Sequence, residues 1–273
     1  MIFKTKKGIE LYYEVKGDLK SDKVIAFFNG VMASTNSWDL CVPIFEKAGF
    51  KIVCHDFKGQ MKSAKPVPES GIYSFKEHAE EAKELFDFLG LKKVNIAGIS
   101  YGGEVGMKFA SLFPEYVQTL TIIDSISEFD EVCKNFVLSW KALCDIGDGE
   151  TFFWVMAPAI YGPDFLKKER AMLLERGKGF KALDKSYYDG QKILYDTFVQ
   201  DVYMTDILKN IKCPTLVVCG QNDILKPQKF SEIIYQNIPN CEFAVFPHSG
   251  HVPILEQPGI LSSIMLGFII KNL

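Results

Sequence analysis

The chain has 273 residues, 48% hydrophobic and 24% charged, enough for one large α/β domain or one domain carrying an insertion. A formal net charge of −3 with scattered lysines argues against a nucleic-acid or anionic-membrane surface. The start, MIFKTKKGIE, has no apolar signal core, and no run reaches the ~18 apolar residues of a membrane span.

Seven cysteines, at 41, 54, 133, 144, 213, 219 and 241, include no C-x-x-C pair. Several sit in apolar strand patterns, such as Cys54 in KIVCHDF and Cys219 in TLVVCG. They read as buried free thiols of a reducing compartment, so a cytoplasmic location is expected. None of the four histidines is spaced with cysteine like a zinc site, and no metal is expected.

Ile2–Thr5 and Ile9–Val15 alternate as two strands of a hairpin joined by Lys6-Lys7-Gly8. KVIAFF, from Lys23, is nearly continuous in apolar residues, as a strand buried on both faces should be. A helix is expected from Ser37 to Lys47, stopped by Gly49, and then a strand over Lys51–Phe57. Ser74-Phe75-Lys76-Glu77 is a capping box. The helix it opens carries Ala79, Ala82, Leu85, Phe86 and Leu89 on one face. Val94–Ala97, Thr119–Ile123, Thr215–Gly220 and Glu242–Phe246 complete the strands, with helices near Gln228–Asn237 and at the end, where Leu261, Ile264, Met265, Phe268 and Ile269 share a face. Strand and helix alternate as in a parallel sheet covered on both sides.

From Ser125 to Ile211 that rhythm breaks. Roughly 85 residues without a strand, rich in aromatics, exceed any ordinary connection. They read as an inserted helical cap, residues 125–211, on a core domain formed by 1–124 and 212–273.

The chemistry is centred on VNIAGISYGG, starting at Val94. A strand runs into Gly98-Ile99-Ser100-Tyr101-Gly102 and then into a helix, the context of a nucleophile elbow. Glycine is needed at 98 and 102 because the turn is tight, and the helix start favours developing negative charge. A bare G-x-S-x-G also fits a simple strand–helix turn, so the rest of the chain must decide. Serine needs a base, usually a histidine held by a carboxylate, in the chain order Ser, Asp or Glu, His. Asp223 follows TLVVCG, and His251 follows the last strand in His248-Ser249-Gly250-His251-Val252-Pro253. Asp223 could instead cap a turn. Asp124, which also ends a strand, is a rival acid, and His248 a rival base. His251 is favoured because Gly250 lets the chain turn close to the serine. His55 and His78 read as structural or surface residues.

With these residues in order, the chain resembles the α/β-hydrolase fold superfamily in its cap-bearing serine esterase and lactonase branch. The resemblance covers nearly the whole chain and is weakest over 125–211. It implies a mostly parallel eight-stranded sheet with helices on both faces and an inserted helical cap. It also implies an oxyanion hole from the backbone N–H groups of Val31 and Tyr101. Asn29-Gly30 stands where the family usually has His-Gly, as in enol-lactone hydrolases. In Asp56-Phe57-Lys58-Gly59-Gln60-Met61-Lys62-Ser63, Met61 stands where a second glycine is common.

The function expected is hydrolysis of a small-molecule carboxylic ester or lactone through an acyl-enzyme on Ser100, with no cofactor. Phe152, Phe153 and Trp154 of the cap are expected to line the substrate pocket. Thioester hydrolysis, acyl transfer or C–C cleavage would use the same triad, and a ligand-binding receptor would keep the fold. Beyond its substrate, the one partner foreseen is a second copy of the chain, as a homodimer.

Overall fold

The computed structural model describes residues 1–273. It opens on a hairpin of β1 (Ile2–Lys4) and β2 (Glu10–Gly17), and β3 (Val24–Phe28) follows with all five residues buried. The single helix expected over Ser37–Lys47 is divided. A 3-10 turn spans Thr35–Trp38 and α1 spans Val42–Lys47. Pro43 has no N–H to return to the carbonyl of Asp39, so it starts a helix more readily than it continues one.

β4 (Lys51–His55) leads through a long loop to α2 (Phe75–Phe88). Ser74 Oγ accepts from the N–H of Glu77 at 3.1 Å. The other half of the expected capping box is missing, because the Glu77 carboxylate turns to Lys58 at 3.2 Å. β5 (Val94–Ile99), α3 (Tyr101–Leu112) and β6 (Val117–Ile123) form the central strand–helix–strand unit.

After β6 come α4 (Glu131–Ile146), α5 (Gly149–Ile160), α6 (Pro163–Lys168), α7 (Arg170–Gly179) and α8 (Lys185–Asp201), with no strand among them. The sheet then resumes with β7 (Thr215–Gly220), α9 (Gln228–Asn237) and β8 (Cys241–Phe246), and the chain closes on α10 (Pro253–Glu256) and α11 (Pro258–Lys271).

The strands form one eight-stranded sheet in the order β1-β2-β4-β3-β5-β6-β7-β8. β2 runs antiparallel to both β1 and β4, and every other pairing is parallel. The carboxyl ends of six strands therefore share one edge, where ligands bind in open sheets of this kind. β5 lies between β3 and β6, with Gly98 in register with Phe28 and Ile122. The chain leaving β5 thus emerges beside those leaving β3 and β6.

Side chains alternate across the sheet. Val24, Ala26 and Phe28 of β3 join one apolar core, and Ile25 and Phe27 join the other. The first core continues upward into the inserted helices through Trp140, Phe152, Leu194 and Phe198. The second is closed by α1 and α11 through Phe45, Leu261, Met265 and Phe268. Ile264, expected on the same face of α11, is 37% exposed because it lies at the edge of the buried stripe.

Candidate active site

Three chain ends meet at the carboxyl edge of β5. Ser100 stands at the apex between β5 and α3 with φ 53° and ψ −124°, a strained conformation for a residue with a side chain. Its N–H donates to the carbonyl of Ile123 at 2.8 Å, which ties the elbow to β6. A Cβ on Gly98 would run into the backbone of Gly102, and one on Gly102 into the carbonyl of Phe28. The spacing of the two glycines is thus a packing requirement on both sides of the serine.

The loop after β8 brings His251 over this apex. Its Nε2 lies 3.0 Å from Ser100 Oγ, and its Nδ1 lies 2.7 Å from Asp223 Oδ2. Asp223 sits just past β7 with its side chain wholly buried. Its second oxygen accepts the N–H groups of Leu225 and Lys226, each at 2.9 Å. A carboxylate held this way fixes the tautomer of the imidazole. Nδ1 carries the proton, and Nε2 is left as the acceptor facing the serine.

Asp124 enters the same pocket from β6. It is fully buried with φ 44°, and its Oδ1 accepts the N–H of Gly220 at 2.8 Å. Its other oxygen has no partner. Burial first, and the neighbouring Asp223 second, hold the Asp124 carboxyl well above the usual carboxylate range. Ionisation of Asp124 is therefore disfavoured beside Asp223, which faces the imidazole. Ligand-type atoms of Asp124, Asp223 and His251 lie within 4.8 Å of one another, the one cluster of this kind. Asp223 has committed both oxygens to N–H donors, so the cluster is arranged as a hydrogen-bond relay, not a cation cage.

The other histidines stand elsewhere. His248 is exposed, and its Nδ1 lies 3.1 Å from Asp164 on α6. His55 and His78 are wholly buried, and their ring nitrogens have no hydrogen-bond partner. Burial lowers both, His55 to about 3, so His55 packs as a neutral ring edge-on to Phe28 and Phe57.

Opposite the imidazole is the turn after β3. Asn29 is buried and does not point at the site. Its side-chain amide donates to the carbonyl of His55 at 2.9 Å and to Asp56 at 3.1 Å, and its Oδ1 accepts from Trp38 Nε1 at 3.0 Å. Gln60 Nε2 holds the carbonyl of Gly30 at 2.9 Å. These bonds fix the backbone that presents Val31 beside Ser100. Tyr101 is the first residue of α3, where the amide has no acceptor within the helix. Met61 takes φ 24°, so the loop keeps at a methionine the positive φ that a glycine would adopt more easily.

A cavity of about 220 Å³ opens above Ser100. Of its 23 lining residues 17 are hydrophobic, and Arg176 is its one permanently charged side chain. α5 contributes Phe153, Met156, Ala157 and Ile160, a single helical face. Of the three aromatics expected here, only Phe153 lines the cavity. Phe152 is turned about one hundred degrees away on the helix and packs edge-on to Tyr188, with ring centroids 5.6 Å apart. Trp154 does not line the cavity; it is half-buried beside Gly177 of α7, with the guanidinium of Arg170 4.4 Å from its ring.

Sequence reasoning missed two neighbours of the nucleophile. Lys226 Nζ lies 3.2 Å from Ser100 Oγ and 2.7 Å from Glu104 Oε1. Both side chains are buried, at 4% and 0% exposure. Burial pushes the Glu104 carboxyl up, against the pull of Lys226. The available signal was an acid one turn after Ser100 in an otherwise apolar helix start.

The family model described as alpha/beta hydrolase fold matches residues 23–258. An alpha/beta hydrolase enzyme, MGS-M2, from a Medee basin deep-sea metagenome library superposes with TM-score 0.90 at 28% identity, covering 98% of this chain and 96% of that one. The enol-lactonase of Burkholderia xenovorans LB400 superposes with TM-score 0.85 at 17% identity, covering 96% and 97%. RutD of Caulobacter sp. (strain K31), named as a candidate carbamate hydrolase, is 24% identical over 95% of each chain.

Proposed function

The chain belongs to the alpha/beta hydrolase fold family, and on that premise we propose that it hydrolyses a carboxylic ester or lactone of a small molecule through an acyl-enzyme on Ser100. The observation that carries this reading is the unbroken relay Ser100 Oγ–His251 Nε2, His251 Nδ1–Asp223 Oδ2, at 3.0 and 2.7 Å.

Ser100 Oγ attacks the substrate carbonyl carbon while its proton passes to His251 Nε2. Asp223 stabilises the imidazolium that results and remains ionised. The N–H groups of Val31 and Tyr101 receive the oxyanion, each such donor being worth about 3–4 kcal/mol to the transition state. The imidazolium protonates the departing alcohol oxygen. Water, deprotonated by His251, then attacks the acyl carbon, and Oγ leaves and regains its proton. Asp124 sits beside Asp223, away from Ser100, and takes no part in this transfer.

The cavity selects substrates with an apolar body of small-molecule size. The helices of 125–211 act as its cap through the α5 face that carries Phe153. The test is a panel of esters graded in acyl and alcohol length, with lactones, thioesters and carbamates beside them. Turnover highest on an ester or lactone, and absent in Ser100→Ala, supports the reading. Turnover confined to thioesters or carbamates would reassign the substrate class on the same relay.

A further inference from the structure

Among the groups around Ser100, one is not accounted for by the relay or the oxyanion donors. Lys226 follows Asp223 by three residues, and its side chain reaches Ser100 and Glu104 at the elbow. An ammonium has three N–H donors and no acceptor. Here all three have a destination: Ser100 Oγ at 3.2 Å, Glu104 Oε1 at 2.7 Å, and the ring face of Phe198 on α8, whose centroid is 4.8 Å away.

We propose that Lys226 is a catalytic residue of the acyl transfer, its ammonium donating to Ser100 Oγ so that the serine proton is aimed at His251 and the negative charge growing on Oγ is held as it attacks. This rests on the serine acyl-enzyme reading above.

The geometry divides the bonding capacity of the hydroxyl. Ser100 Oγ has one proton and two lone pairs. With Lys226 donating into one lone pair, the proton lies toward His251 Nε2 and the other lone pair is free for the carbonyl carbon. Lys226 is absent from the cavity lining, which does include Ser100. It therefore acts on the nucleophile without lining the space the substrate fills, a role separate from that proposed for the Val31 and Tyr101 amides.

In the forward step the O–H bond of Ser100 breaks, its proton goes to His251 Nε2, and a C–O bond forms to the acyl carbon. Lys226 keeps all its protons. In deacylation the same C–O bond breaks, and Oγ leaves while still accepting from Lys226. A buried charge-assisted donor stabilises oxygen charge in both directions. Glu104 supplies the compensating charge that keeps the ammonium in place so near an imidazole that must itself become positive.

A buried ion pair can also be purely structural, so the test separates the two roles. Replacing both partners of a buried pair by neutral groups is often neutral for stability. The proteins compared are wild type, Lys226→Met, Lys226→Arg and the double variant Glu104→Gln/Lys226→Met. Each is assayed for its melting temperature, the second-order rate of labelling by a small organophosphonate, and kcat and KM on one ester.

In Lys226→Met and the double variant, labelling and kcat are expected to fall together by about 10- to 100-fold. KM stays within about twofold, and Lys226→Arg recovers part of the loss. A double variant that melts near wild type and labels at the wild-type rate overturns the proposal. So does a loss in Lys226→Met that the double variant fully restores, because only a stranded Glu104 would behave that way. Wild-type protein that is not labelled at Ser100 overturns the acyl-enzyme reading itself, a failure visible before any Lys226 variant is compared.

Discussion

His251 donates its backbone N–H to the carbonyl of Ile160, 2.9 Å away at the end of α5. The loop that carries the imidazole is thereby fastened to the helix that lines the cavity. Glu256 makes a second tie between the same segments, accepting from Gly250 at 2.9 Å and from Gly162 at 3.2 Å.

Glu256→Ala removes the second tie and leaves those two amides without their acceptor. Misplacing a base by a fraction of an ångström is costly in rate, and a drop in kcat of about ten- to a hundredfold is expected. Labelling by a small organophosphonate should slow in parallel, because the effect lies in the base and not in substrate binding. Glu256→Gln, which keeps one acceptor oxygen, should recover part of both rates. A change in KM alone would show that the tie shapes the cavity without positioning His251.

The two buried acids should separate cleanly. Asp223→Asn should preserve the fold and lower kcat by about 10⁴, as loss of the imidazole's carboxylate does in comparable triads. Asp124→Asn should keep most of the activity. Its stability carries a pH signature. The folded carboxyl lies well above 3.8 through burial and Asp223, so the stability it contributes is full at acid pH and is lost as pH rises through the folded value. Asparagine has no such proton to lose. Melting curves of the two proteins should therefore coincide near pH 4, with Asp124→Asn moving above wild type as pH increases. If Asp124→Asn is the damaging change and Asp223→Asn the mild one, the acid is misassigned.

Cavity and cap packing separate along α5. Phe153→Ala should widen the range of acyl or alcohol groups accepted, shifting discrimination by about 1–3 kcal/mol per methylene-sized difference. Phe152→Ala should instead cost about 3–5 kcal/mol of stability and leave the chain-length preference alone. The substrate panel run on both variants, with urea melts, checks this. A preference that moves with Phe152 or Trp154 but not with Phe153 would show that the phase of α5 differs in solution.

Acid should destabilise the protein through its buried histidines. His55 is depressed to about 3 by burial, from an ordinary 6.5. A depressed folded value means that the stability is present above the unfolded value and is lost as pH falls from 6.5 toward about 3. The slope approaches 1.4 kcal/mol per pH unit for such a group. His55→Leu, similar in size and without a proton to gain, should flatten the fall in melting temperature across that window. An unchanged slope would show that His55 is solvated or paired in solution.

Much of this was legible in the chain because it is local. The elbow is written in five consecutive residues, whose glycines are forced by contacts with Phe28 and with each other. Asp223 and His251 could be placed because each follows a strand whose carboxyl end points to one edge of the sheet. The break at Pro43 was also written locally, although the helix was expected to run unbroken to Gly49. Lys226 and Glu104 were not legible as a pair: 122 positions separate them, and nothing in either neighbourhood names the other. Phe153 could not be told from Phe152 and Trp154, because aromatic composition does not fix the phase of a helix. Asn29 looked like a variant of the oxyanion segment, and its role is visible only in its bonds to His55, Asp56 and Trp38.

The most direct test of the central claim is covalent labelling with a fluorophosphonate, followed by mass spectrometry of the intact protein and its peptides. One adduct per chain is expected, on the peptide containing Ser100. It should be absent in Ser100→Ala, which should also retain less than about one per cent of turnover. An adduct on another residue, or a Ser100→Ala protein that still turns over substrate above that level, would contradict the assignment of Ser100 as the nucleophile.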